Sequence, residues 1–220
     1  MKDLPSGKRL FMVLLKKDFI NMLIGASDAL DEKIDEFSDI DSKFGDGDHG
    51  VTVGRISKVI RAKAESSPEQ ETLSEMFETL GKDIMNVNGG SAGPLYGSIF
   101  EGFGEGLLGV READEAAIKS MFAGALENIR LISNAVVGEK TMMDTLIPAC
   151  EAAERSTSPL PQLLADIADA ACQGAEYSKQ CQAKFGRARF HKEATIGTMD
   201  AGAYSLYCLI RGFSTAINHQ

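Results

Sequence analysis

Residues 41–54 read DSKFGDGDHGVTVG, with carboxylates at Asp41, Asp46 and Asp48 and a further one just upstream at Asp39. Acids this close repel one another, so the stretch is costly unless something positive sits between them. Hard divalent cations take carboxylate oxygens, and Mg²⁺ uses a few of them while leaving its other positions to water and phosphate. An EF-hand is excluded, because counting from Asp46 puts Gly50 at the fifth position and Ser57 at the twelfth. The competing reading is a plain turn, with Asp48 as N-cap of the helix that follows.

Three other glycine-rich or charged stretches carry potential chemistry. NGGSAGPLYG at 88–97 places glycines before Pro94, a residue favoured at the first position of a helix. N–H groups from Ser91 to Gly93 would then meet an anion at a helix entrance, without a P-loop lysine; close packing through small residues is the alternative. GEKT at 138–141 resembles the end of a P-loop, but Glu139 and Ser133 stand at positions the motif does not allow, which leaves a helix start capped by Thr141 with Lys140 in solvent. In GRARFHKEATIGTMDAGAYS at 186–205, Arg187, Arg189, His191 and Lys192 gather near Asp200. An arginine on such a segment can reach charge developing on a phosphoryl group; otherwise this is a solvated loop with Asp200 capping the last helix.

Helical periodicity supplies the elements that must hold these stretches. One apolar stripe runs from Phe19 to Phe37 and another from Leu73 to Val87, with further stripes over 53–64, 99–107, 118–132, 142–153, 163–175 and 203–217. That predicts about eight amphipathic helices in a single all-α domain spanning residues 1–220. Thr72 with Glu75, and Thr141 with Asp144, stand at capping-box spacing. Period-2 strand runs are absent, so a βαβ nucleotide fold has nothing to be built from. GEGLLG at 104–109 matches GxGxxG but follows a helical stripe, and reads as an interhelical loop. Linkers are expected at 65–71, 104–109, 155–161 and 186–197.

Composition narrows the partners. The net charge of −9 opposes wrapping nucleic acid or sitting on anionic lipid. The apolar run LFMVLL at 10–15 is too short for a membrane span or secretory segment and reads as a docking element. The cysteines Cys150, Cys172, Cys181 and Cys208 have no zinc-finger spacing and read as reduced, mostly buried thiols of a cytoplasmic protein.

Taken together, IDSKFGDGDHG, GGSAGPLYG, GEKTMMDTLIPA and GRA…IGTMDAGA, in this order, resemble the nucleotide-binding L subunit of dihydroxyacetone kinase, DhaL. The resemblance implies an antiparallel eight-helix barrel with Mg-nucleotide at one end. It implies that Asp41, Asp46 and Asp48 bind two Mg²⁺ ions, and that ADP or ATP is lined by His49, Gly50, Val51, Thr52, Ser91, Ala92, Gly138, Ile147, Arg187, Asp200, Ala201 and Gly202. Arg187 would stabilise charge on the transferred phosphoryl group. A separate K-type subunit would hold the ketose covalently on a histidine, a phosphotransferase-system phosphocarrier could recharge the nucleotide, and a homodimer is open. The chain departs from the family at Ser91-Ala92, where Ala-Ser is usual, and at Phe190–Lys192, Thr198 and Ala201, near where nucleotide and K subunit meet. A fatty-acid kinase nucleotide domain, a non-enzymatic nucleotide-carrying regulator and an all-α scaffold are the rival readings; His49 and GGSAGPLYG favour the sugar-kinase side.

Overall fold

The structure is a computed structural model that describes residues 12–218. Among these, the helices are α1 (Lys16–Asp31), α2 (Ile34–Ser42), α3 (His49–Ser66), α4 (Leu73–Met85), α5 (Ala92–Gly106), α6 (Glu115–Ile129), α7 (Met143–Arg155), α8 (Leu160–Tyr177) and α9 (Ala201–Asn218), with 3₁₀ segments at Ser178–Gln180 and Ala188–Thr195. No strand forms among the described residues; Leu14 and Ala113 make an isolated antiparallel bridge. The fold is all-α.

Eight of the helices close a ring in the order α1, α3, α4, α5, α6, α7, α8, α9 and back to α1, with α2 packed outside it on α3 and α9. Successive ring helices alternate in direction, as in an up-and-down bundle, with short connections at 67–72, 86–91, 107–114 and 156–159 and longer ones at 32–48, 130–142 and 178–200. Rings fill the middle: Phe19, Phe77, Phe100, Phe103, Phe122 and Phe213 pair with centroids 5.4 to 6.1 Å apart, tying α1, α4, α5, α6 and α9 together. The run at 10–15 begins outside the described residues; of its described part, Leu14 is buried and pairs with Ala113 in the α5–α6 connection.

Helix starts follow the sequence closely in places. Thr72 and Glu75 form the expected capping box on α4. At α7 the helix starts at Met143, so Thr141 is not its N-cap, although Asp144 still reaches back to the Thr141 N–H at 2.7 Å. Pro94 occupies the third helical position instead of the first, where its missing N–H still costs no intrahelical bond.

Three expectations on elements are corrected. The stripe from Phe19 to Phe37 is divided between α1 and α2 by a turn at Glu32 and Lys33: Glu32 is still helical at φ −62°, ψ −19°, and Lys33 breaks the helix at φ −121°, ψ 9°. The expected loop at 104–109 is helical through Gly106: a Cβ there would lie 2.2 Å from Ser120 O, and one on Gly102 would lie 2.3 Å from Gly124 O, so these glycines let α5 and α6 pack backbone to backbone. The expected loop at 186–197 contains the second 3₁₀ segment, held partly by Thr195, which is buried and accepts from Ala183 N at 3.0 Å.

Candidate functional site

Alternation in an even ring puts the N-termini of α3, α5, α7 and α9 at one end, and all four border a single cavity of about 590 Å³. Four helix entrances facing one space bring partial positive charge and unpaired N–H groups to it, a setting that favours an anion. Apolar Leu95, Ile132, Met142 and Phe185 line the cavity together with the acids, Arg187 and Lys140. Its size suits a cofactor-sized ligand.

Asp41, Asp46 and Asp48 each bring a carboxylate oxygen within 4.8 Å of the other two. Asp41 projects from the last turn of α2, where Gly45 N donates to its carbonyl at 2.6 Å and turns the chain back. Asp48 stands at the N-cap of α3 without making a side-chain cap, so its carboxylate is directed elsewhere than the helix. Three hard oxygen donors, half-buried to exposed and with no sulfur among them, fit Mg²⁺ with positions left for water and phosphate. Asp39 is exposed and is not part of the cluster. Arg187 Nη1 pairs with Asp46 Oδ2 at 2.6 Å, and His191 lies over Phe44 with ring centroids 5.3 Å apart, so the basic 3₁₀ segment leans on the acidic turn.

Behind the acids lies a buried hydrogen-bond chain. Tyr96 OH donates to Ser205 Oγ at 2.8 Å, and Ser205 Oγ is 2.9 Å from His49 Nε2, joining α5, α9 and α3. Burial lowers the His49 pKa, opposed by the negative charges of Asp41 and Asp48, so the ring favours its neutral form. Asp200 caps α9, accepting from Ala203 N at 2.8 Å. Burial pushes its carboxyl up to about 7, against the pull of that N–H and of Lys140. Lys140, expected in solvent, is buried: Nζ donates to Ser178 O at 2.8 Å and to Thr198 O. The reason is the turn at 138–141, which folds its side chain inward beneath the 198–200 segment.

Of the residues singled out in the sequence, the cavity wall brings together Asp41, Asp46, Asp48, His49, Thr52, Ser91, Ala92, Arg187, Asp200, Ala201 and Gly202. Gly50, Val51, Gly138 and Ile147 lie outside that wall. Gly50 faces α2, where a Cβ would be 2.0 Å from Ile34 O; Val51 is exposed; Gly138 donates its N–H to buried Asp144; Ile147 is in the core. Sequence reasoning missed Lys140, Tyr96 and Ser205. Lys140 carried a signal in its place between Gly138 and Asp144, whereas the Tyr96–Ser205 bond spans 109 residues and left none.

The DAK2 domain model matches residues 43–215, starting just after Asp41. The ADP-binding subunit DhaL of the PEP-dependent dihydroxyacetone kinase 1 of Listeria innocua is 35% identical over 169 residues, covering 76% of this chain and 80% of that protein. The corresponding DhaL of Escherichia coli is 25% identical over 209 residues, covering 93% and 99%. A D-erythrulose kinase of Mycolicibacterium smegmatis is 30% identical over 184 residues, 82% of this chain but 32% of that longer one. The dihydroxyacetone kinase from C. freundii, in complex with AMP-PNP and Mg²⁺, superposes with a TM-score of 0.72 at 22% identity, covering 98% of this chain and 36% of the other, a likeness of fold. With four converging helix entrances, a carboxylate triad and a family model that spans most of the chain, this protein belongs to the DAK2 domain family.

Proposed function

We propose that the chain is the nucleotide-binding subunit of a kinase that phosphorylates dihydroxyacetone or a related short ketose. The observation that carries this reading is the meeting of the Asp41, Asp46 and Asp48 carboxylates with four helix entrances at one cavity. Acids alone would repel nucleotide phosphates, and helix entrances alone would not need acids; a metal-bound polyphosphate uses both. The relatives named as ADP-binding DhaL subunits, and those named as erythrulose kinases, support it.

In this reading Asp41, Asp46 and Asp48 hold two Mg²⁺ ions, which when bound neutralise the phosphates and orient the transferred group. Ser91, Ala92 and the α9 entrance at Ala201 and Gly202 offer N–H groups to phosphate oxygens, and Leu95, Ile132 and Met142 receive the base. Thr52 and neutral His49 complete the wall beside the acids. Arg187, paired with Asp46, brings a guanidinium to the acidic turn, where it would meet charge on the transferred group. No side chain here acts as general base; the ketose is held covalently by a K-type subunit, and the nucleotide is renewed either by exchange with ATP or by a phosphotransferase-system phosphocarrier that recharges ADP in place. The protein then works in the cytoplasm, in keeping with its free thiols; no helix among the described residues is long and apolar enough to cross a membrane.

Calorimetric titration of MgADP into the protein and into Asp46→Asn tests the site. Affinity should fall by at least about tenfold in the variant, with far-UV helicity unchanged because Asp46 lies in a turn. Undiminished affinity would remove the metal assignment. Phosphoryl transfer to dihydroxyacetone in the presence of a K-type subunit, from ATP or from a phosphocarrier, tests the reaction.

A further inference from the structure

Lys140 is 5% exposed, and its backbone is left-handed at φ 59°, a conformation that among the described non-glycine residues is shared with Lys192 alone. A side chain in that region strains the backbone and persists where its surroundings over-determine it. Those surroundings are specific. The Asp144 carboxylate gathers the backbone N–H groups of Gly138, Lys140 and Thr141, which folds the turn back on the entrance of α7. The ammonium, turned inward, donates to the carbonyls of Ser178 and Thr198 and lies near the negative charges of Asp200 and Asp144.

Ser178 is shared between two of these ties: its carbonyl accepts from Lys140 Nζ, and its Oγ accepts from Asp200 N at 2.9 Å. Ser178 is fully buried. A single ammonium thus links the turn before α7, the 3₁₀ turn after α8, and the segment that enters α9. Without it the buried Ser178 carbonyl would lose its charged donor, and Asp144 and Asp200 a nearby positive charge. Although Lys140 borders the cavity, its ammonium is engaged by these carbonyls and does not point at a ligand as a P-loop lysine would.

We propose that Lys140 is a positioning residue for nucleotide binding: by clamping Ser178 and Thr198 it holds Asp200, Ala201 and Gly202 against the cavity without touching the nucleotide itself. The proposal rests on the reading of this cavity as a nucleotide site.

The test uses the full chain carrying Lys140→Met, with amide hydrogen exchange in the ligand-free protein, calorimetric affinity for MgADP, and binding of Mg²⁺ alone. Exchange at residues 198–203 should quicken by about tenfold or more while α4 to α6 keep their protection, and the MgADP Kd should rise by about tenfold. Mg²⁺ binding alone should stay within about twofold, because the carboxylate triad lies on other elements. Unchanged exchange overturns the proposal: with lost MgADP affinity it means that Lys140 contacts the phosphates directly, and with retained affinity that it has no part in binding. Should Lys140→Met fail to fold, Ser178→Ala decides, since it removes the Oγ bonds to Asp200 N and to Ala175 O and leaves the carbonyl in place; faster exchange at 200–203 with weaker MgADP binding is expected, and wild-type behaviour in both overturns the clamp. A wild-type chain that binds no MgADP refutes the nucleotide reading instead, leaving the exchange result to show whether the clamp orders the segment.

Discussion

Gly50 has no place on the cavity wall, yet Gly50→Ala should disable the metal site. A Cβ at this position would lie 2.0 Å from the carbonyl oxygen of Ile34 and 2.4 Å from Ser38 Oγ. The serine can rotate, but the carbonyl belongs to the α2 backbone, and carbon–oxygen approach stops at about 3.3 Å. The entrance of α3 and the body of α2 must therefore part by about 1 Å, carrying Asp41 on α2 away from Asp48 on α3. Overpacking of this kind costs about 1–3 kcal/mol, which for a chain of this size lowers Tm by about 2–4 °C per kcal/mol. Mg²⁺ tolerates little error around its ~2.1 Å bonds, so Mg²⁺ affinity should fall by about tenfold or more. Thermal melts and calorimetric Mg²⁺ titration measure the two effects, with Gly54→Ala as a control whose Cβ meets only the flexible tip of Ile34 at 2.9 Å. If Tm falls while Mg²⁺ affinity is that of the wild type, the α2–α3 contact does not set the position of Asp41 and the reasoning fails.

Burial raises the Asp200 carboxyl to about 7, so between its ordinary value and that point the folded state keeps a proton that the unfolded state releases. Stability of the ligand-free protein should decline as pH rises through about 4 to 7 and level off above; Asp200→Asn, which retains an acceptor for Ala203 N, should flatten that decline in urea unfolding at pH 5 and pH 8, and an unaltered slope would show that Asp200 is not its source. Burial pushes the Cys150 and Cys208 thiols up to about 12, whereas Cys172 is only half-buried. Maleimide labelling of the native protein, followed by peptide mass mapping, should therefore find Cys172 modified first; equal labelling of Cys150 would contradict the packing of α7 against α6.

What the sequence could reveal depended on whether a signal was local. Thr72 and Glu75 lie within one turn, and their capping box was legible. The acids at 41–48 were legible because a short turn holds them together in both sequence and space. The break between α1 and α2 was hidden because one residue, Lys33, leaves helical φ and ψ, and a lone lysine between Leu30 and Ile34 carries no breaker signal. Gly104 and Gly106 misled because glycine marks both a loop and a helix pressed against a neighbour, and only the neighbour distinguishes the two. Lys140 looked solvated since charge usually is; its burial depends on carbonyls at Ser178 and Thr198 that fold back from 38 and 58 residues away.

The even number of walls in the ring also divides the connections into two kinds. Those leading into α3, α5, α7 and α9 all open on the cavity, and each carries one of the motif stretches. Those leading into α4, α6 and α8 lie at the opposite end, where Leu14 pairs with Ala113 and Lys16 donates to the carbonyls of Pro68 and Glu71. Chain inserted at the second set meets only solvent and a few ties, while the same insertion at the first set enlarges or blocks the ligand space. Adding or deleting one helix would reverse the direction of every later wall and exchange helix entrances for helix exits around the cavity. Such a ring can grow or shrink only by helical hairpins, and a fusion partner or affinity tag placed within the chain belongs at 67–72 or 156–159.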